Sequence, residues 1–476
     1  MLTRRHVLFA AIAGVFLVSG CTGNSSGPHP ARRATHSTSK VSGSTGSSSH
    51  PPVVAPADQA GSPWQISATA SGGVAGFADR TSVLPGQSVR IFVSTTAATF
   101  VVHAFRMGWY RGVEGRLTWT SNPVAGKQQP AAVESAKATR TMTAPWTPSL
   151  TIATTGWEPG HYLLRLDTSS HHASFVPLTV RAASAAGTVV LISPVTTWQA
   201  YNLWGCCNLY EGGDGAFASR SRAVSFDRPY ASNDGSSEFI DRELPVLAEA
   251  ERLHLPLDFI TDVDLEADPH VLDGARGVIS MGHDEYWSPT MRAVVTAARD
   301  AGTNLAFLGA NSVFRRIRFA STSVGPDRLE IDYKIASEDP LYGHDNSAVT
   351  ADWPAAPGAA PESSLLGAQY GCFPGRTRVD GVIADPANWL FAGTHVTMGE
   401  HLTGLVGPET DAVQLGYPTP RPIEVLMHSP TQCPHNSPSH ADVTYYVARS
   451  GAGVFDAGTI DWTCIVGSSC HGRASS

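Results

Sequence analysis

The residues best suited to do chemistry lie together in the segment GHDEYW at 282–287, directly after the apolar run 277–281. In an extended segment, His283 and Glu285 point to the same side and Asp284 points to the other. An imidazole and a carboxylate therefore face a common space, and both groups serve in proton transfer and metal binding. A structural alternative stays open, in which Asp284 or Glu285 caps the following helix and His283 hydrogen-bonds a neighbouring loop.

Other segments place polar and aromatic residues where predicted strands end. TWQAYN at 197–202 follows the first strand of the second half, and GAN at 309–311 follows the strand after GHDEYW. VSFDRPY at 224–230 lies in the long loop after the first strand, which can fold over the same rim. Parallel sheets bind ligands beyond the carboxyl ends of their strands, so these segments together predict a site. Taken singly, each tyrosine is better explained as a core aromatic with a satisfied hydroxyl.

The elements that must position these residues alternate strand and helix from Thr188 onward. Continuous apolar runs suit buried parallel strands, and this order predicts a doubly wound α/β domain with right-handed crossovers. Ser288 is expected to cap a helix whose first residue is Pro289. After about residue 314 the chain becomes rich in β-structure. The predicted strands are 189–192, 257–260, 277–281, 304–308, 423–427, 443–447 and 454–457, and the predicted helices are about 237–253, a short stretch reaching 272, and 289–301.

Residues 63–183 have a different pattern, with short strands of period-two alternation separated by turns such as Pro85-Gly86. No long helical period occurs in this range. The pattern predicts an immunoglobulin-like β-sandwich whose default role is structural or binding. The expected division is therefore a β-sandwich domain at 63–183 followed by an α/β domain of the catalytic type at 184–476.

The first 21 residues have the features of a lipoprotein signal peptide. Arg4 and Arg5 form a basic region, residues 7–18 form an apolar core, and Cys21 follows small residues as the expected lipid acceptor. The apolar run is shorter than the roughly 20 residues of a membrane-spanning helix. Residues 22–62 are rich in Ser, Thr, Gly and Pro and predict a disordered tether. We therefore expect an exported protein, lipid-anchored at the outer face of a bacterial cell membrane, with Sec and twin-arginine export both open.

The composition is ordinary for a globular protein, with 42% hydrophobic and 16% charged residues. A net charge of −8, with no basic block outside the leader, argues against nucleic acid as the main partner. Contact with a membrane is expected through the lipid anchor alone, and a homo-oligomer remains open.

Six cysteines follow the leader, and an even number in an oxidising compartment predicts disulfide bonds. Cys464 and Cys470 could pair with each other or hold the loop at Cys433. The adjacent Cys206 and Cys207 are expected to bond two different partners. A zinc site at the same loop is less favoured, because the loop looks exposed and an exported cysteine more often forms a disulfide. The residues of that zinc alternative are His428, Cys433, His435 and His440.

The motifs TWQAYN, VSFDRPY, DFITDVDL, GHDEYWSPTMR and ARDAGTNLAFLGAN occur in this order along the chain. Together they resemble the catalytic domain of the N,N-dimethylformamidase large-subunit family, strongly over about 188–315 and more loosely to about 463. The resemblance implies an N-terminal β domain followed by an α/β domain related to glutamine-amidotransferase-like folds. It also implies hydrolysis of the non-peptide C–N bond of a small amide.

The same resemblance implies a mononuclear Fe(III) centre held by two tyrosinates and one carboxylate. Carried over by motif, Glu285 is the carboxylate ligand and Tyr201 is the first tyrosinate. Tyr230 is preferred to Tyr210 as the second, because it stands in the matching Arg-Pro-Tyr segment. Hard anionic oxygens suit Fe(III), which would polarise an amide carbonyl and activate water.

His283 and Asn311 are implied as the groups that act on water and substrate. His283 would serve as a general base or proton shuttle, and Asn311 could hold the developing oxyanion. The expected function is therefore an iron-dependent amidohydrolase. This sequence departs from the family in its LWGCCNLY loop and its Cys-rich end, so the amide itself is left open.

Two other classes of protein compete with this interpretation. A serine or cysteine hydrolase is disfavoured, because the turn at 282–286 has neither nucleophile at its centre. The alternative from another class is a non-catalytic cell-surface binding lipoprotein that keeps a vestigial metal site. Retention of the four motif residues His283, Glu285, Tyr201 and Asn311 favours the enzyme.

Overall fold

The structure is a computed structural model that describes residues 63–375 and 377–463. The predictions for the signal peptide, Cys21, the tether, Cys464 and Cys470 lie outside these residues. Within them, no helix is both long enough and apolar enough to cross a membrane.

The first part of the described chain is built from strands, as its period-two alternation predicted. These strands form a three-stranded sheet, a six-stranded sheet and a small hairpin. In chain order, β1 to β11 are Val74–Ala78, Ser82–Val83, Ser88–Thr95, Thr99–Tyr110, Val113–Thr120, Val124–Ala125, Val133–Ala136, Thr141–Thr143, Leu150–Ala153, Gly160–Thr168 and Ala173–Val180. The first sheet has the order β1-β3-β9, the second has the order β2-β11-β10-β4-β5 with β6 paired to β4, and β7 pairs with β8.

One apolar core lies between the two larger sheets. Val89 and Ile91 of β3 contribute from one sheet, and Val102 of β4 and Leu164 of β10 contribute from the other. Arg90, between Val89 and Ile91, is exposed, so the alternation of apolar and polar residues here matches which side chains face the core. The β-rich character of this part is confirmed, whereas its immunoglobulin-like topology stays a prediction.

The second part of the chain mixes helices with a central sheet. Helices α1 to α5 are Val195–Tyr201, Leu244–Arg252, Asp262–Ala267, Pro289–Asp300 and Ser363–Leu366. Short helical turns are Phe217–Ser219, Asn233–Gly235, Phe239–Glu243, Ala336–Glu338, Trp389–Phe391 and Pro434–Asn436. Strands β12 to β28 are Val189–Ser193, Ala223–Ser225, Leu257–Thr261, Gly277–Met281, Tyr286–Trp287, Asn304–Leu308, Arg315–Arg316, Arg318–Ala320, Leu329–Ile331, Ala351–Asp352, Gln369–Cys372, Val379–Val382, His401–Val406, Thr410–Ala412, Glu424–Cys433, Ser437–Val447 and Gly453–Asp456.

The central sheet has seven strands in the order β14-β12-β15-β17-β28-β27-β26. Strands β14, β12, β15, β17 and β28 are parallel, whereas β27 is antiparallel to both its neighbours. The sheet is therefore mixed instead of wholly parallel, because the hairpin β26–β27 extends it beyond β28. The remaining small sheets are β13-β20-β19, β16-β18-β21, β22-β25 and β23-β24.

Both faces of the central sheet are covered, which explains the continuous apolar runs of its strands. Val190 and Ile192 of β12 pack in one core with Met291 of α4. Leu191, between them, joins the other core together with α2 and with Phe175 of β11. A strand buried on both faces needs apolar residues at successive positions. The α/β character predicted for this part is confirmed, whereas its likeness to glutamine-amidotransferase folds stays a prediction.

Helix α4 starts as the sequence predicted. The backbone N–H of Met291 donates to Ser288 Oγ at 3.1 Å, and Pro289 is the first helical residue. The helix expected at about 237–253 is observed over 239–252, with a wider π-helical first part, Phe239–Glu243, continuous with α2. The start of α4 is therefore fixed at Ser288, just after the segment 282–287 that follows β15.

The contact between the β-rich part and the α/β part contains a buried histidine. His161 of β10 lies 2.9 Å from Thr179 Oγ1 through its Nδ1, and its ring packs against Phe239 and Phe259. Burial, together with the charge of Arg106, lowers the pKa of His161 to about 3. The folded protein therefore holds this imidazole neutral.

We expect this histidine to weaken the protein in acid. Above pH 6.5 it is neutral in both states, whereas between pH 6.5 and about 3 only the unfolded chain binds the proton. As the pH falls through this window, the free energy of unfolding should therefore decrease by up to about 1.4 kcal/mol per pH unit from this group. Denaturant unfolding at several pH values would measure this slope, and His161→Gln should make it shallower. Equal slopes in the two proteins would contradict the account.

Candidate functional site

Two glycines bring the candidate segments together at the end of the central sheet. Gly282, just after β15, has φ +69°, and Gly309 follows β17. A Cβ added at Gly309 would lie 1.9 Å from the Gly282 carbonyl oxygen, so the two backbones approach too closely for any side chain. Beyond these glycines the two segments run side by side. The backbone N–H groups of Val313 and Arg315 donate to the carbonyls of Asp284 and Glu285, at 2.8 Å each.

The side chains of GHDEYW alternate as the extended segment predicted. Asp284 points into the protein, where its carboxylate accepts hydrogen bonds from Ser280 Oγ at 2.7 Å and Trp287 Nε1 at 2.6 Å. His283 and Glu285 point the other way, and His283 Nε2 lies 3.4 Å from Glu285 Oε2. Asp284 therefore holds the loop in place, and the other two residues face the site.

Three oxygen-bearing side chains converge beside His283. Tyr201 Oη lies 2.7 Å from Glu285 Oε2 and 2.7 Å from Tyr210 Oη. Tyr210 Oη lies 2.9 Å from Glu285 Oε1 and 3.1 Å from Glu285 Oε2. The two phenol rings stack with their centroids 4.6 Å apart. We call these three residues the oxygen cluster; Glu285 is buried, the two tyrosines are partly buried, and all three present hard donors to one point.

The loop after α1 places Tyr210 in this cluster. The backbone N–H of Leu209 donates to the Ala200 carbonyl at 3.0 Å, and Asn208 Nδ2 donates to the Tyr201 carbonyl at 3.0 Å. These bonds fold the loop back onto the end of the helix. Tyr210 therefore stacks on Tyr201, although eight loop residues separate them in the sequence.

Tyr230, predicted as the second tyrosinate, is not part of the cluster. Its ring packs edge-on against Trp198 at 5.6 Å, and it lines a small cavity between the two parts of the chain. The nearby Arg228 is buried and donates to the carbonyls of Trp204, Cys207 and Asn202, which holds VSFDRPY against the loop that follows α1. The prediction is corrected here: the structure brings Tyr210, and not Tyr230, to Glu285.

Cationic side chains border the oxygen cluster. Tyr286 Oη lies 2.7 Å from Tyr210 Oη and accepts a hydrogen bond from Lys334 Nζ at 2.5 Å. The same Nζ lies 3.7 Å from the centroid of the Tyr210 ring. Arg315 Nε lies 3.4 Å from Glu285 Oε1. Sequence reasoning missed Lys334 and Arg315, because no motif singled out either the loop that carries Lys334 or the short strand β18 that carries Arg315.

A second carboxylate lies beside His283, at the same ring nitrogen that faces Glu285. Glu409, directly before β25, has its Oε2 at 3.4 Å from His283 Nε2. The backbone N–H of Asn311 donates to Asp411 Oδ1 at 2.8 Å, which ties β25 to the loop after β17. Asn311 is buried with φ +58°, a left-handed conformation that asparagine tolerates. His283 therefore lies beside Glu285 of the oxygen cluster, and the side chain of Asn311 hydrogen-bonds Glu409, a residue that the sequence analysis did not single out.

The electrostatics of the site follow from burial and from close charges. Burial, and then the charge of Glu285, raises the pKa of Tyr201 and Tyr210 well above the usual phenol value. Burial opposes the charge of Glu285, but His283 and nearby cations outweigh it and lower its pKa to about 2. Burial likewise opposes a charged His283, but Glu409 and Glu285 outweigh it and raise its pKa to about 9. Burial raises the pKa of Glu409 to about 7.

Disulfide bonds occur in the described chain, but not all as expected. Cys206 and Cys207 are bonded to each other, so the prediction of two different partners for them is wrong. The tight turn of the loop behind Tyr201, where Cys206 has φ +146°, brings the adjacent sulfurs together. Cys372 and Cys433 form the other bond, which removes Cys433 from the zinc alternative.

Comparison with known proteins agrees with the motifs. The chain matches the family model described as N,N-dimethylformamidase beta subunit-like, C-terminal, over residues 101–472. The chain belongs to this family. The resemblance carried by the strand-end motifs is thereby confirmed, and the N,N-dimethylformamidase beta subunit-like match runs beyond them at both ends. Membership indicates a dimethylformamidase-like hydrolase and a family that is associated with metal.

No curated protein has a sequence that matches this chain. Among solved structures, a cycloisomaltooligosaccharide glucanotransferase of Paenibacillus sp., complexed with cycloisomaltoheptaose, matches with 14% identity and a TM-score of 0.15. The match covers 26% of this chain and 16% of that protein. So small a likeness carries no argument about this chain.

Proposed function

We propose that the protein is an iron-dependent amidohydrolase that cleaves the C–N bond of a small amide or formamide. The oxygen cluster of Tyr201, Tyr210 and Glu285 would hold a single Fe(III) ion. The observation that supports this proposal is the convergence of two phenols and a carboxylate on one buried point, in a member of the N,N-dimethylformamidase beta subunit-like family.

The donors of the cluster fit a hard trivalent cation. Phenolate and carboxylate oxygens are the ligands that such ions prefer, and soft sulfur ligands are absent from the three. Burial and the Glu285 charge make ionised phenols costly at Tyr201 and Tyr210. A cation bound between them would offset this cost, because it inverts the local charge balance. The cluster is therefore consistent with ionised tyrosines only when a metal ion is bound.

The residues around the cluster have the chemistry that amide hydrolysis needs. When bound, the ferric ion would supply Lewis-acid polarisation of the carbonyl and a more acidic water. Hydrolysis adds the water oxygen to the carbonyl carbon, breaks the C–N bond and delivers a proton to the leaving amine. His283 Nε2, 3.4 Å from both Glu285 and Glu409, would carry that proton. The side-chain amide of Asn311 would donate to the developing oxyanion.

Release of amine from small amides tests this proposal. The full chain, isolated in detergent and loaded with iron, should release dimethylamine from N,N-dimethylformamide or an amine from a related small amide. Glu285→Ala should abolish the release, because it removes one of the three oxygen ligands. A folded, iron-containing protein that hydrolyses no small amide would instead favour the non-catalytic surface-binding alternative.

Asn311 offers a more selective test of the same chemistry. Asn311→Ala should lower kcat/KM by about 10²–10³-fold, the usual effect of losing one oxyanion donor. Asn311→Gly is a matched control, because glycine keeps the left-handed backbone without strain while also removing the amide. Steady-state kinetics should give the same loss for both variants. A glycine variant with full activity would assign the effect to the backbone, and the oxyanion role would then be wrong.

We also propose that the protein works outside the cytoplasm, anchored through Cys21. The signal-peptide pattern of the first 21 residues motivates this proposal, and the disulfide Cys372–Cys433 supports it, because such bonds persist in oxidising compartments. Globomycin treatment or Cys21→Ala should leave an unlipidated precursor, detected by its mobility and its partition out of detergent. Unchanged processing in both cases would contradict the anchor.

A further inference from the structure

A second group of metal-ligating side chains lies on the hairpin β26–β27, at the edge of the central sheet. His428 Nδ1 lies 2.7 Å from Asp442 Oδ1, and His440 Nε2 lies 3.3 Å from Asp442 Oδ2. The two imidazole rings are 4.6 Å apart, and the three donor atoms all lie within 4.8 Å of one another. None of these residues belongs to the oxygen cluster or to its border.

The hairpin fixes where these side chains stand. His428 is directly opposite Asp442 in the antiparallel register, and His440 precedes Asp442 by two residues on the same strand. Residues two apart on a strand share a face, so all three side chains project on one side of the hairpin. The disulfide Cys372–Cys433 joins the end of β26 to β22, which further restrains the hairpin. The backbone beneath the group is therefore organised before any ligand arrives.

Asp442 is held as the inner ligand of a metal site is usually held. It is buried, and its Oδ2 accepts a hydrogen bond from the backbone N–H of Val413 at 2.9 Å. This bond fixes the carboxylate while leaving lone pairs that face the two histidines. His428 is about half exposed and His440 about one third exposed, so an ion from solvent can reach the nitrogens that face Asp442.

We propose that His428, His440 and Asp442 bind a divalent transition-metal ion of the zinc class. Two neutral imidazoles and one carboxylate are donors that Zn²⁺ prefers, in the three-ligand set that leaves a fourth position open. The exposed histidines turn the open position toward solvent, where it would hold water or a donor from outside.

Zinc binding to the full chain tests this site. Glu285→Ala is used as the background, so that the oxygen cluster does not compete and the result is independent of the proposed hydrolase activity. Calorimetric titration of this protein, isolated in detergent and treated with chelator, should show stoichiometric binding of Zn²⁺. Adding His428→Ala or His440→Ala should raise the Kd at least about tenfold. Zn²⁺ should also raise the Tm of the background protein and not that of these variants.

His270→Ala is the matched control, because His270 is exposed and lies 3.0 Å from Asp273 without a second histidine in the pair. It should leave the Kd for Zn²⁺ unchanged. Circular dichroism should confirm that the His428 and His440 variants fold, which their exposure favours. Unchanged Zn²⁺ affinity in both of these variants, or no Zn²⁺ binding by the background protein, would overturn the proposal.

Discussion

Replacing His283 by alanine should lower kcat for amide hydrolysis by about 10²–10⁴-fold and leave bound iron in place. The imidazole lies 3.4 Å from both Glu285 and Glu409 and is not one of the three oxygen donors. Its removal therefore takes away a proton carrier and keeps the ligand set. Steady-state kinetics together with iron analysis of the same sample would measure both effects. His270→Ala is the control: His270 is exposed and has no proposed role, so this variant should change neither kcat nor iron content.

The partner of His283 in this step should be Glu409. Glu409→Gln keeps the shape of the side chain and removes its charge, so we expect a loss of kcat in the same range. If the two residues act on one proton, the double variant should be little worse than either single variant. Multiplied losses in the double variant would show that they act independently. Loss of iron from His283→Ala would contradict the role given to His283.

Tyr210→Phe should remove the iron and its colour, whereas Tyr230→Phe should keep both. Tyr210 Oη lies 2.9 Å from Glu285 Oε1, and its loss would leave the cluster with one phenol. We expect iron affinity to fall by more than the roughly 10–100-fold that is typical when a residue hydrogen-bonded to a metal ligand is lost. The visible tyrosinate-to-iron absorption and the iron content of each variant would measure this. Tyr230→Phe is the matched control, because it also removes one buried phenol oxygen.

The reverse outcome for these two tyrosines would be decisive. If Tyr230→Phe lost the iron and Tyr210→Phe kept it, the ligand set drawn from the structure would be wrong. The motif-based choice of Tyr230 would then be restored. Loss in both variants would point to general unfolding, which circular dichroism would detect.

The part of the site that follows local sequence rules could be predicted. The strand before GHDEYW is a continuous apolar run, and alternation after it sends His283 and Glu285 to one side. Tyr201 follows β12 at the same sheet edge, so its meeting with Glu285 follows from the topology of parallel strands. Ser288 and Pro289 predicted the start of helix α4, which follows directly after GHDEYW.

The remaining residues of the site depend on long-range packing that no local pattern records. Glu409 reaches His283 because β25 is tied to the loop after β17 through Asp411, about a hundred residues away from Asn311. Tyr210 reaches Tyr201 because hydrogen bonds fold the loop between them back onto α1. Tyr230 lies elsewhere because Arg228, two residues before it, is buried and donates to a carbonyl of that loop. The places of these two tyrosines are therefore set by contacts that are visible only in three dimensions.

The hairpin β26–β27 illustrates the same limit at the sheet edge. Its strands were predicted only as 423–427 and 443–447, so the extension that carries His428, His440 and Asp442 was missed together with its register. The sequence placed Cys433 and His435 with the histidines because they are close along the chain. Pairing across the hairpin instead joins His428 to residues twelve and fourteen positions later.

Metal analysis with a visible spectrum tests the central claim most directly. The full chain should be isolated in detergent from cells grown without added metal. It should contain near-stoichiometric iron and a broad tyrosinate-to-iron absorption band, because two phenols and a carboxylate share one buried point. Glu285→Ala should lose both while remaining folded. A colourless, iron-free chain with an intact fold would contradict the proposed iron-dependent amidohydrolase and favour a surface-binding role.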